Sequence, residues 1–174
     1  MPSILTCLIG RQLGGNADLV EQFALRDMAA SLLSRIAQKY THASHMLKPR
    51  LVRSCLKSFL DPSKPFGAHY GAVIGMQAIG GSEVVRVLIV PNLREYSKLL
   101  SDGLDDPARR PAAERVLTAL VSVLASLRGK QSLTNGHTVT DDLQARLSDA
   151  VGEIIASRIL ESGEMQLAHI ILEA

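Results

Sequence analysis

Apolar residues along this chain recur every three or four positions, the spacing that lines one face of an α-helix, and nowhere sustain the alternation of a half-buried strand. After Pro2, the stretch SILTCLIGRQL reads as a short apolar helix, ended by Gly14-Gly15-Asn16, residues that tolerate positive φ. Asp18 then caps a helix running to about Tyr40, with Glu21 placed for a capping box. Asp27, Ser31, Ser34, Arg35 and Gln38 form its narrow polar arc. So wide an apolar remainder predicts a helix covered on two sides, as in a stack. Near Pro49 another helix starts, with Leu51, Val52, Cys55, Leu56, Phe59 and Leu60 on one broad face. The turn Asp61-Pro62-Ser63-Lys64-Pro65 ends it, since neither proline continues a helix.

Pro65 opens a helix built on small residues, up to a break at Gly80-Gly81. Gly81 or Ser82 caps the following helix, which continues through Pro91 and should kink there, because proline removes one backbone bond. Residues 102–111 (DGLDDPARRP) read as a connector, and Ala112 to about Arg128 as a strongly apolar helix ended by Gly129. Residues 130–140 show no periodicity and read as a mobile loop. Thr140 caps a helix through DDLQARLSDAVGEIIASRIL, Ser162-Gly163 breaks it, and residues 164–172 form a last helix. The pattern predicts an all-α chain of about eight helices in four antiparallel pairs.

Gly67, Gly71 and Gly75 fall on one face of the small-residue helix, with Ala68 and Ala72 beside them. Each interior glycine costs a helix about 1 kcal/mol relative to alanine. Close approach of a neighbouring helix is the compensating reason expected here. A membrane span is the rival reading. It is disfavoured because a span needs about 20 apolar residues and His69, Tyr70 and Gln77 interrupt this one.

The helices also repeat. Leu47-Lys48-Pro49-Arg50-Leu51 parallels Ile89-Val90-Pro91-Asn92-Leu93, with the prolines 42 residues apart. Ala30 and Ala72 share that spacing, and Asp18 and Asp61 lie 43 apart, each expected to open a helix. A period of about 40–47 residues with two helices per unit marks a HEAT-type α-solenoid. Residues 1–174 thus read as a single HEAT-repeat domain. The abrupt start at Pro2, with no basic leader, suggests a piece of something longer.

Composition sharpens this. Hydrophobic residues make up 47% of the chain but aromatics only 3%, so the core must be aliphatic, which suits helix-on-helix packing. A net charge of +2 supplies no global field for nucleic acid or membrane. Cys7 and Cys55 are too few for a disulfide framework or zinc pattern, and both read as small core hydrophobes.

No catalytic, cofactor-binding or metal-ligating set emerges. His42 and His45 could share a helical face, but no Cys, Asp or Glu nearby in sequence completes a site. GRQLGG has neither the preceding strand nor the Lys-Ser/Thr of a phosphate loop. Arg26 falls in the apolar arc of its helix and should be covered, which calls for a carboxylate partner, Asp18 or Asp61. Asp18–Arg26 and Asp61–His69 are both eight apart and read as rungs of a structural ladder. On the helix after Pro49, the basic residues Arg50, Arg53 and Lys57 fall within about 60° of arc, opposite the apolar face. With no acid among them, this stripe is the candidate partner-binding surface.

Four motifs carry a family resemblance: Ala24-Leu25-Arg26-Asp27-Met28-Ala29-Ala30; Asp61 with Lys64-Pro65-Phe66; His69-Tyr70-Gly71-Ala72-Val73-Ile74-Gly75; and Val87-Leu88-Ile89-Val90-Pro91-Asn92-Leu93. With these the chain resembles the C-terminal HEAT-repeat domains of the family of TATA-binding-protein-associated factor six, over about residues 1 to 100. Family members often have Arg where this chain has His69. The resemblance implies a nuclear, non-enzymatic scaffold in TFIID and SAGA-type complexes, with other subunits as partners and an N-terminal histone fold that is missing here. No membrane and no small-molecule substrate is implied. The alternative is a helical-repeat module that contacts nucleic acid directly through a local basic patch. A direct binder should carry several basic stripes and stacking aromatics, whereas this chain shows one clear stripe and three Phe.

Overall fold

The computed structural model describes residues 2–11, 13, 18–128 and 141–173. Among these the chain is all-α, with no strand. The helices are α1 (Pro2–Ile9), α2 (Leu19–Lys39), α3 (Leu47–Phe59), α4 (Phe66–Val84), α5 (Leu93–Asp105), α6 (Arg110–Ala125), α7 (Asp141–Val151), α8 (Glu153–Glu161) and α9 (Met165–Leu172). The expected ends at Gly14-Gly15-Asn16 and Gly129, the loop 130–140 and the Thr140 cap lie outside the described residues.

Successive pairs stack as the repeat predicts. Helices α2, α4 and α6 lie side by side in one layer. Helices α1, α3 and α5 pack against α2, α4 and α6 in turn, α7 and α8 continue the array, and α9 packs on both. Ala30 and Ala72 are both buried, in α2 and α4. Pro49 lies in the first turn of α3, and Pro91 just before α5, so the two prolines mark equivalent places. The core is aliphatic, with Leu33, Val73, Met76, Leu93, Leu120 and Leu147 fully enclosed.

The break at Gly80-Gly81 is present: Gly81 adopts φ 67° and ψ −162°. Pro91 is accommodated by more than a lost bond. The helix first widens into a π-helical turn, Val85–Ile89, then tightens into a 3₁₀ turn, Val90–Asn92. The Val90 N–H reaches back to the Val85 carbonyl, and Asn92 Nδ2 donates to the Leu88 carbonyl at 2.9 Å. By length and composition alone, the helical run Phe66–Asp105 is apolar enough to cross a membrane, contrary to expectation. In the fold Gly81 and the π turn divide it, and α1, α2, α3 and α6 converge on its first part, α4.

Three boundaries differ from the pattern. α5 extends into the expected connector as far as Asp105, because Gly103 lies against Phe66 and Ala113, where a Cβ would overlap the Phe66 ring. The expected helix after residue 140 is split by Gly152, at φ 87°, where an added Cβ would overlap the Ser97 side chain. Asp61 opens no helix. It accepts bonds from the Ser63 N–H (3.0 Å) and Ser63 Oγ (2.7 Å), shaping the turn, while Pro65 occupies the N-cap of α4.

Two faces also differ. Leu25, Met28 and Leu32 leave α2 open on one side, at 40, 70 and 44% exposure, so it is not covered on two sides. The eight-residue α1 reaches only part of its length. Leu60, at the end of α3, is 50% exposed rather than buried.

Candidate functional site

The α2 periodicity turns Phe23, Arg26, Ala30, Leu33 and Ala37 inward. Arg26 is only 1% exposed, and it holds no carboxylate. Its Nη1 donates to the Leu8 carbonyl at 2.6 Å and its Nη2 to the Gly10 carbonyl at 2.9 Å. Those carbonyls end α1, where helix C=O groups lack intrahelical partners and the dipole is negative. Arg26 therefore caps α1 from a neighbouring helix. The expected partners are engaged elsewhere: Asp18 accepts from the Leu19 N–H at 2.6 Å, with no bond shared with Glu21, and Asp61 serves its own turn. Among the described residues no carboxylate lies within ion-pair distance of Arg26. Burial pulls its pKa down to about 10, which leaves it charged at neutral pH.

The glycine strip is the seat for this contact. A Cβ on Gly71 would overlap the Leu8 carbonyl oxygen. One on Gly75 would stand 2.6 Å from Leu8 Cδ2 and 3.2 Å from Cys55 Sγ. One on Gly67 would meet Arg26 Nη2 at 3.1 Å and Nε at 3.3 Å. α1 thus docks its last turn on α4, with the guanidinium wedged beside it. Cys55 is enclosed, and burial pushes its thiol up to about 12, which disfavours the nucleophilic thiolate.

His69, the second expected rung, is fully buried, with Nε2 3.2 Å from the Lys64 carbonyl. Its ring lies near those of Phe66 and Tyr96, at 5.9 and 5.4 Å between centroids. Burial lowers its pKa, opposed by backbone carbonyls and Asp61. Beside it, the Tyr70 hydroxyl donates to Asp27 Oδ1 at 2.7 Å, tying α4 to α2.

Arg50, Arg53 and Lys57 are all exposed on α3, opposite the buried Leu51, Val52, Cys55 and Phe59. Among the described residues none has a carboxylate within 4.0 Å, whereas Arg94 and Lys98 pair with Asp149 and Glu95. His42 and His45 are exposed in the α2–α3 connection, and no three His, Cys, Asp or Glu among the described residues gather as metal ligands. Sequence reasoning missed a cluster of Arg11, Lys64 and Arg109, which lines a cleft at the start of α4. These residues lie in three separate turns, and no local pattern joins them.

Stacked antiparallel helix pairs with a 42-residue repeat define a HEAT-type helical-repeat domain. The chain belongs to the TAF6 C-terminal HEAT repeat domain family, whose profile matches residues 1–94. It is 37% identical to the SAGA complex/transcription factor TFIID complex subunit Taf6 of Schizosaccharomyces pombe, over 99% of this chain and 38% of that protein. It is 40% identical to transcription initiation factor TFIID subunit 6b of Arabidopsis thaliana, over 66% of this chain and 21% of that protein. It is 30% identical to TFIID subunit 6 of Drosophila melanogaster, over 60% of this chain and 17% of that protein. The similarity to the S. pombe protein thus carries on past Asp102, where the resemblance read from motifs stops.

Proposed function

We propose that this chain acts in the nucleus as a protein-interaction scaffold of a TFIID- or SAGA-type complex, supporting assembly of the RNA polymerase II pre-initiation machinery. Its relatives are subunits of TFIID and SAGA complexes, which supports this reading. The α3 stripe is the proposed docking surface, and the observation carrying it is three exposed cations with no acid of the described residues in reach. A stripe of one sign steers an acidic partner surface and fixes its register. The partner in this reading is another subunit of the complex; catalysis, a small-molecule substrate, a cofactor and a membrane have no part in it. Arg26, His69, Asp18, Asp61 and the three glycines hold the scaffold together.

The test is the triple reversal Arg50→Glu, Arg53→Glu and Lys57→Glu, assayed in a reconstituted complex. These side chains project outward, so thermal unfolding should hold within about 0.5 kcal/mol per site. Incorporation with the other subunits should weaken, and more so at low salt. A folded reversed protein that assembles as well as wild type removes the stripe from the mechanism. Titration with duplex DNA over a range of salt tests the nucleic-acid alternative.

A further inference from the structure

Helices α2, α4 and α6 start at one edge of the array, and a cleft of about 670 Å³ runs along that edge. Its lining comes from Arg11 after α1, from the α3–α4 and α5–α6 turns and from the first turns of all three helices. Arg11, Lys64 and Arg109 line it, and no Asp or Glu of the described residues does. Asp61, close by, is bound into its own turn through Ser63 and offsets part of the charge of Lys64 and Arg11, and Arg11 Nη2 donates to Ser63 Oγ at 2.9 Å. Helix N-termini add positive potential, although at α6 the Arg110 and Ala112 N–H groups already bond the Asp106 and Arg109 carbonyls. α4 starts at Pro65 and α6 at Arg109, neither with a side-chain cap. A fourth cation lies beneath these three. Arg26 lies under the cleft, 1% exposed, and its Nε has no hydrogen-bond partner. Gly67, itself part of the lining, leaves the space its side chain would take to the Arg26 guanidinium, so the floor of the cleft is positively charged.

We propose that this cleft binds an extended acidic segment of a partner polypeptide. Its carboxylates would lie at the α4 and α6 N-termini, between Arg11, Lys64 and Arg109. The walls between the cations are apolar, with Leu19, Pro62, Phe66 and Ala112, which suits a peptide carrying small apolar side chains between its acids better than a nucleic-acid backbone. Packed helices sit about 8–10 Å apart, and a chain in the extended polyproline II conformation advances about 3.1 Å per residue and returns to the same face every third residue. Acids at every third position therefore match successive helix starts. The cleft is distinct from the α3 stripe, and the proposal rests only on the reading of the chain as an interaction module.

The experiment uses the 174-residue chain, a labelled synthetic peptide with Glu at every third position and Ala or Leu between, its Gln counterpart, and a duplex DNA. The Glu peptide should bind, more weakly as salt rises, and shift the Phe66 and Gly67 amide resonances; the Gln peptide should not. The double variant Lys64→Glu/Arg109→Glu should weaken binding by roughly tenfold or more. If that variant fails to fold, Lys64→Gln/Arg109→Gln replaces it, with a smaller loss expected. The Arg50→Glu/Arg53→Glu/Lys57→Glu protein should bind the peptide like wild type, which separates this cleft from the stripe. No binding of the Glu peptide, equal binding of the Gln peptide, retention by the folded cleft variants, or displacement of the peptide by tighter-binding DNA would each overturn the proposal.

Discussion

Arg26 makes charge-assisted hydrogen bonds to two carbonyls in the protein interior, each worth about 1.5–3 kcal/mol. Arg26→Met keeps the stem but loses both and strands the end of α1. Thermal or urea unfolding should show a loss of about 3 kcal/mol, with amide exchange rising first in α1. Arg26→Lys should recover only part, since an ammonium lacks the planar fork. His69 works in the opposite sense, because burial lowers its pKa in the folded state. The unfolded chain then takes up a proton more readily than the folded one. Its contribution is fully present above the ordinary value of 6.5 and is lost as the pH falls toward the lowered folded value. Unfolding midpoints between neutral and mildly acidic pH should fall less steeply for His69→Gln than for wild type; equal slopes would contradict burial of a neutral ring.

At the scale of elements, the informative contact is the last turn of α1 on the glycine strip of α4. Gly71→Ala places a carbon on the Leu8 carbonyl oxygen, and backbone cannot swing aside as a flexible side chain does. Overpacking of this kind costs roughly 1–3 kcal/mol, and here it also pulls the carbonyl from Arg26. The measurement is denaturant unfolding of Gly71→Ala alone and combined with Arg26→Met. Because both act on one docking event, their effects should add to less than the sum. The spacing of Gly67, Gly71 and Gly75 made a close neighbour legible in the sequence. It did not say which helix, since that depends on the path of the chain after Ile9. The capping of α1 by Arg26 was illegible for the same reason: helix-end carbonyls carry no side-chain signature.

For the whole molecule, the pairwise stacking makes the ends of the array matter. Leu25, Met28 and Leu32 form an open apolar face on α2, beside Ile4 and Cys7 of α1. Replacing those three α2 residues by Gln should shift stability by no more than about 0.5 kcal/mol per site, read from thermal unfolding, and reduce binding of a hydrophobic dye. A cooperative collapse of the fold would show that the face is covered. The cleft at the starts of α2, α4 and α6 belongs to this scale too, since only stacking brings Arg11, Lys64 and Arg109 together.

The sequence by itself determined the helical class, the 42-residue repeat, the Gly81 break and the buried face of α3. Each is written in local spacing, through side-chain period, glycine and proline, and local spacing acts within a few turns. Tertiary structure alone decided that Arg26 caps α1, that Asp61 shapes a turn, that Gly152 splits a helix against Ser97, and that one side of α2 is open. These depend on which helices meet, and that choice is made by packing between segments far apart in the chain, where no short-range period reaches.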